Sequence, residues 1–535
     1  MPTIAQVVEA MDTKGHNGGG DFSQVVIEDV PDNAVLNEKV GTSTDADDMH
    51  RMGKKQELRR NFSFFPIFGF AAVLMVTWEA VLSAASYALP NGGRPALIWT
   101  FVFSLFGFGA AILSMAEMAS MAPTSGGQYH WVSEFAPKST QKILSYVVGW
   151  FCVLGWQAGV AGQSFSVGLQ IQGLIVLNDE TYVPRNWHST LLAIAAVSVC
   201  VIFNTFFARK LPLVEGLVVV LHVLGFFAIL IPLWIFAPKA PSSEVWSGLQ
   251  NNAGWSSTGL AFLVGMTSAV NALIGPDSAV HMSEEIRDAS RVLPRAMLWT
   301  LIVNGITGLI MSITFAYCLG PLDAALEPPY FFAFIGTFYT ATQSKAGATV
   351  MSCIITILTL CSAISNVATS SRQMFAFARD RGLPFGGWLS QVRPGWDIPL
   401  HAVFTTFFIA CLLSLINLGS SVAFNAILSI GVVALLSSYL VSISCVLIKR
   451  IRGEPLLPRR WSLGKWGFAM NVIGLAYLMI AYLMAFFSLG TPVTLATMNW
   501  ACAAYGGVAI VATVYYFLYA KSQYVAPVSK LAKDL

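Results

Sequence analysis

Runs of about twenty mostly apolar residues recur along nearly the whole chain, and no other feature limits its fold as strongly. A hydrocarbon layer roughly 30 Å thick takes about twenty helical residues to cross. Within lipid only helices and closed barrels satisfy every backbone polar group. Twelve such runs can be marked, at 64–90, 96–118, 143–174, 188–207, 213–236, 257–281, 295–319, 347–377, 400–418, 422–447, 469–490 and 497–519. The composition agrees, with 55% hydrophobic residues, 11% charged residues and a mean hydropathy of +0.64. These values lie outside the range of a soluble enzyme and predict an all-α membrane protein.

The loops carry an uneven charge. Of the 31 Lys and Arg residues, only Arg94, Arg185, Lys239 and Lys345 fall on one side of a twelve-span topology. The side holding both termini takes the rest, so the positive-inside rule predicts cytoplasmic termini. Residues 1–60 have another character: "GHNGGG", then Asp45, Asp47 and Asp48, then the basic run "RMGKKQELRR". They read as a disordered cytoplasmic tail ending in a juxtamembrane anchor. No apolar h-region of a cleavable signal peptide occurs in residues 1–30. Residues 61–520 then form the twelve-helix domain, and 521–535 a cytoplasmic C-terminal tail. All eight cysteines lie within spans, which gives no ground for a disulfide framework.

Two spans carry polar or helix-breaking interruptions, the first at "VTWEAVLSAAS" and the sixth at "NALIGPDSAV". They are five spans apart, the spacing of an inverted repeat whose broken helices meet at the midplane. Three further stretches are "MAEMASMAPTSGGQYHWVSEFAP" (115–137), "IGPDSAVHMSEEIRDASRVLPRAM" (274–297) and "SSRQMFAFARDRGLPF" (370–385). In this order and on one side, they resemble the amino acid, polyamine and organocation transporter superfamily, and within it the fungal amino acid and choline permease branch that includes GABA and choline permeases. The resemblance spans about residues 60–520. It implies a LeuT-type fold of five plus five inverted helices, broken at helices 1 and 6, with two more helices at the end. It also implies proton-coupled uptake of small amines or amino acids.

Candidate site residues follow from their cost in lipid. A carboxylate deep in a span costs roughly 2.5–3.5 kcal/mol on the lenient insertion scale, so Asp277 must face protein or a water-filled cavity. Pro276 removes an N–H and clashes with the preceding turn, which frees backbone groups beside Gly275 for a guest. Otherwise Asp277 caps the second half of the helix. Asn271 shares a face with Gly275. In the first span Thr77, Trp78 and Glu79 sit near the bilayer centre, where the superfamily more often has a glycine and serine loop for a substrate carboxylate. An ionised Glu79 would repel such a carboxylate and attract an ammonium group, and Trp78 would add a cation–π face worth about 0.5–2 kcal/mol. This pair points to a cationic or quaternary amine such as choline. The alternative is that Glu79 stays protonated and bonds a neighbouring helix.

His222 follows Glu215 by two turns on one face of the fifth span. In some superfamily members a lysine near this position replaces the sodium of sodium-coupled relatives, so His222 and Glu79 are the candidates for proton coupling. The other reading of His222 is an interhelical hydrogen-bonding group. Gln157 and Gln163 in span three need a partner or a pore, while Gly155, Gly159 and Gly162 suit close helix packing. In span eight Ser362, Ser365 and Asn366 share a face that should meet the broken first helix. His281 reads as a helix-end residue. Glu284, Glu285, Arg287, Arg291 and Arg379 read as an inner latch or as ordinary surface charge.

The reading is a secondary transporter, with a sensor of the same fold, or a permease for neutral amino acids or polyamines, as the alternatives. No enzyme is expected, since neither His-Glu-x-x-His nor any other clustered catalytic pair occurs, and no Walker A motif supports ATP drive. No cofactor is expected. A proton is the coupling ion, with sodium left open. The partners are the substrate and the bilayer, with no nucleic acid. Lys14 and Lys39 are candidate ubiquitin sites for a ubiquitin ligase. The plasma membrane is the expected location, with a vacuolar membrane left open.

Overall fold

A computed structural model describes residues 41–392, 396–419, 423–495 and 497–528. Lys14, Lys39, the rest of residues 1–40 and residues 529–535 lie outside the described residues. Twelve helices long and apolar enough to cross a membrane are present among the described residues. Spans 1 to 6 are Phe64–Ser83, Gly93–Met121, Gln141–Asn178, Asn186–Phe206, Ala208–Phe236 and Thr258–His281. Spans 7 to 12 are Ala289–Cys318, Lys345–Arg379, Leu400–Leu418, Asn425–Ile451, Gly464–Met484 and Ala501–Gln523. Each overlaps one of the twelve apolar runs read from the sequence. The protein is an integral multi-pass membrane protein with an all-α fold. Its described backbone contains one isolated bridge, between Phe62 and Ile286.

Spans 1 and 6 are interrupted. Span 1 is helical over Phe64–Met75 and again over Thr77–Ser83. Between them Val76 takes a left-handed conformation, φ 40° and ψ 47°, which is strained for a β-branched residue. The Val76 N–H turns back to the carbonyl of Val73. The freed end is held from outside: Ser362 of span 8 donates to the Leu74 carbonyl at 2.6 Å and Asn304 of span 7 donates to the Ala72 carbonyl at 3.0 Å. In span 6 the helix Thr267–Leu273 ends at Ile274, which is extended (φ −75°, ψ 148°). Gly275 follows at φ 100°, a conformation that glycine adopts without a Cβ clash. Proline then blocks re-entry, and the chain regains only the turn Ser278–His281. The two breaks touch, since a Cβ on Gly275 would lie 3.0 Å from a Leu74 methyl.

Span 5 shows how apolar helices are sorted in this fold. Leu213, Leu217, Leu224, Ile231 and Ile235 are exposed, while Glu215 and His222 are buried. Seven residues are close to two full turns, so both ionisable groups point inward and the leucine stripe faces lipid.

A disordered tail was expected over residues 1–60; of these, the described residues 41–60 are folded chain. Helix Ser43–Arg51 carries a capping box between Thr42 and Asp45. The chain from 41 to 62 crosses the end of the molecule where the spans begin. Buried Asp45 accepts from the backbone N–H of Asp288 at 2.8 Å and of Ala289 at 3.0 Å. It thereby caps span 7 from a distance, where orphan N–H groups and the helix dipole favour an anion. Arg60 donates to the carbonyls of Ser283 and Ile286. The C-terminal segment reaches the same end: Val525 N–H donates to the Asp380 carbonyl at 3.2 Å, and Lys54 pairs with the Asp380 carboxylate at 2.6 Å.

Candidate functional site

A cavity opens at the two breaks. It has two adjoining parts that share Met75, Gln163, Asn271 and Leu428. One part lies against Leu74, Ile274 and Gly275. The other extends along span 1 to Ser83, Ser86 and Tyr87, away from the end that carries residues 41–62 and Val525. Asn271, Gly275 and Asn366, all expected at the site, are on this wall. Asn366 is buried with its Oδ1 unpartnered. The polar groups on the wall are amides and hydroxyls. No carboxylate, ammonium, guanidinium or imidazole is among the described residues that line it.

Span 3 supplies further residues, among them Gln163, read from the sequence as needing a partner or a pore, and Gly159, read as packing. Trp156, Gly159, Gln163 and Ser166 recur at three- and four-residue spacing and share a face of that helix, and all four are on the wall. The signal for this stripe was present in the glycine spacing, which was assigned to packing. The glycines do pack, since Gly155 meets Leu435 and Gly159 meets Asn366, and they also leave the cavity its room. Gln157 is off the stripe and donates to Thr406 of span 9 at 3.0 Å.

The other expected site residues lie behind the wall. Thr77, Trp78 and Glu79 are buried. The Glu79 carboxyl meets Nδ1 of His222 at 2.8 Å, and Trp78 packs on the His222 and Phe226 rings at 5.8 and 6.0 Å. The Trp78 ring is therefore packed against this protein's own rings. Glu79 Oε2 and His222 Nε2 have no hydrogen-bond partner, so each member of the pair keeps one polar atom beyond the contact they share. Ser365 donates to Glu215 at 2.7 Å and does not reach the cavity. His222 is thus joined to Glu79 of span 1, while Glu215 on the same face is joined to span 8.

Asp277 does not cap its own helix. Its carboxylate accepts from Gln128 at 2.7 Å and from the Tyr439 hydroxyl, both beneath the cavity floor. His281, read from the sequence as a helix-end residue, is fully buried in the same cluster.

Below this cluster the end that carries residues 41–62 and Val525 is closed by ion pairs. Arg379 holds Glu284 through two contacts of 2.7 and 3.0 Å, and Arg372 holds Glu285 at 2.7 Å. The Arg287 side chain donates to the Arg60 carbonyl. Burial pushes the Glu284 carboxyl up, and Arg379, with Lys54 and Arg60, outweighs it, leaving the group below its ordinary value. This makes Glu284 a fixed anion. The helix Gln128–Phe135, which follows the "PTSGG" loop, carries His130, whose imidazole burial pushes below its ordinary value despite Glu134 at 3.3 Å.

Comparison with known proteins places this arrangement. The amino acid permease family profile matches residues 62–510. A Macrophomina phaseolina protein named for amino acid/polyamine transport is 31% identical over 82% of this chain and 97% of its own. The choline transporter of Saccharomyces cerevisiae is 26% identical over 87% of this chain and 81% of its own. The GABA-specific permease of the same yeast is 28% identical, over 90% and 86%. With twelve spans and a family match across nearly all of them, the chain belongs to the amino acid permease family and is a transporter, not an enzyme.

Proposed function

We propose that this permease takes up a small zwitterionic amino acid of the GABA type by proton-driven alternating access. The observation that carries the reading is the neutral wall. An ion entering a dehydrated cavity needs a partner charge, and a wall of amides, hydroxyls and freed backbone supplies dipoles only. A substrate that carries its own counter-charge meets that condition. Asn271, Asn366 and Gln163 bind its ends beside the breaks at Val76 and Gly275. Glu79 and His222, sealed behind the wall, hold the transported proton. The end that carries residues 41–62 and Val525 is the cytoplasmic one, supported by the skew of Lys and Arg, and the membrane is the plasma membrane. The GABA permease named above is in accord with this substrate class.

A second reading is a quaternary amine such as choline. It is favoured by the rings of Trp156 and Tyr87 on the cavity wall, which offer cation–π faces.

Radiolabelled uptake at pH 5 and pH 7.5 separates the two, with GABA, neutral amino acids, choline and polyamines compared. GABA uptake is expected to be about tenfold faster at the lower pH, as proton coupling requires. Glu79→Gln should bring that ratio close to one, and Asn271→Ala should weaken uptake at both pH values. Saturable choline uptake that GABA does not compete would replace the zwitterion reading. Binding without uptake of any substrate would make the protein a sensor.

A further inference from the structure

Between the cavity and the closed end lies a hydrogen-bond cluster to which the transport reading gives no role. Trp156 lines the cavity and is itself buried to 2% exposure. Its indole N–H points down to Nε2 of His281 at 3.0 Å. Nδ1 of His281 lies 2.9 Å from the Ser125 carbonyl in the "PTSGG" loop. A carbonyl only accepts, so Nδ1 carries the hydrogen and Nε2 accepts from Trp156. The geometry thus describes a neutral ring with a defined tautomer. The carboxylate of Asp277 stands 3.5 Å from the same Nε2, and its oxygens retain lone pairs beyond those taken by Gln128 and Tyr439. The loop is pressed against the ring, since a Cβ on Gly127 would fall 2.8 Å from His281 Cε1.

We infer that His281 is a second proton-binding site, and that a proton on its Nε2 unlatches Trp156 and opens the cavity floor. A proton there sets two N–H groups against each other. The bond to Trp156 is lost, and the new N–H turns to Asp277, which is already close and negative. The indole N–H, buried without an acceptor, is driven towards the cavity, where water or substrate can receive it. Other titratable and charged groups stand near the ring. Cys152 of span 3 and Tyr439 of span 10 face the Gln128 and Asp277 side. On span 8, Arg372 and Arg379 are held by Glu285 and Glu284. Tyr129, His130 and Glu134 belong to the helix after the loop. This assignment rests on the alternating-access reading and goes beyond it by linking one proton to one gate.

Cys152 is a native reporter of the floor. It is fully buried one turn below Trp156, with its thiol 3.7 Å from the Gln128 carbonyl oxygen. The full-length protein in proteoliposomes is exposed to a small methanethiosulfonate, and Cys152 modification is read by peptide mass spectrometry with all other cysteines in place. The thiol's own titration is removed by dividing each wild-type rate by that of His281→Gln at the same pH. That ratio is expected to rise about tenfold from pH 8 to pH 5.5. Trp156→Phe, which keeps a ring and removes the N–H, should give at pH 8, after the same division, the ratio that the wild type gives at pH 5.5. A flat ratio, or a Trp156→Phe protein that behaves as wild type, overturns the assignment. If His281→Gln does not fold, Asp277→Asn replaces it: the midpoint of Cys152 modification should fall by about one pH unit or more, and an unchanged midpoint overturns the assignment. Uptake in the same vesicles keeps the two readings apart. Proton-driven uptake with a flat ratio removes only the His281 site. A rising ratio without proton-driven uptake removes only the coupling reading.

Discussion

The hydroxyl of Ser362 shows what a single residue does in a dry interior. It donates to the Leu74 carbonyl at 2.6 Å, where the chain has just left the helical ladder of span 1. Removing that donor leaves a buried carbonyl short of a partner, at a cost of about 1–3 kcal/mol. Ser362→Ala should therefore lower the thermal midpoint in detergent while adding no volume to the cavity. A midpoint equal to wild type would show that the break needs no support from span 8. The same reasoning separates Asn271 and Asn366, which have amide capacity on the cavity wall, from Gln157, which donates to Thr406. Side-chain amides in this interior thus take one of two roles because their neighbours differ.

At the scale of the helix, the break in span 6 depends on one conformation. Gly275 sits at φ 100°, and an added methyl would approach Leu74 at 3.0 Å. Gly275→Ala therefore combines strain of about 1–2 kcal/mol for an L residue at positive φ with a push against span 1. Expected is at least a tenfold loss of uptake with membrane insertion retained, checked by transport in vesicles matched for protein amount. Wild-type uptake by the alanine variant would mean that the break can re-form elsewhere. Val76 is the counterpart in span 1. Its sequence mark was the polar stretch "VTWEAVLSAAS" that begins with it, and a valine at left-handed φ is itself made tolerable only by what surrounds it.

For the whole molecule, the chain before span 1 matters more than a tail would. Asp45 joins residues 41–62 to the start of span 7 and to Arg60, whose guanidinium lies 3.3 Å away. Asp45→Ala strands two backbone donors and leaves a buried guanidinium without this anion. Losing one partner of a buried pair costs about 3–5 kcal/mol. The expected result is a lower thermal midpoint together with faster protease cleavage near residue 55. An unchanged cleavage rate would show that the segment is held by Arg60 and Phe62 alone.

Much of this architecture was legible in the sequence. The apolar runs matched the spans because transfer into lipid is a local property, summed over about twenty residues. Gly275-Pro276 announced the break in span 6 because its cause is covalent. The tail was misread at residues 41–60, where acidic and basic residues suggested solvent but pair with the closed end of the bundle. The site was legible in part. Asn271, Gly275 and Asn366 reached the cavity, while Glu79 and Trp78 faced span 5 and Asp277 faced Gln128 and Tyr439.

What the sequence determined by itself is therefore the number of spans, the uneven charge of the loops and the place where proline and glycine interrupt a helix, since each follows from local chemistry along the chain. Only the tertiary structure decided which buried polar group meets the cavity and which meets another helix. Spans that are apolar nearly all round carry little information about their rotation, and in lipid that rotation is set by packing and by the hydrogen-bond partners that neighbouring helices present.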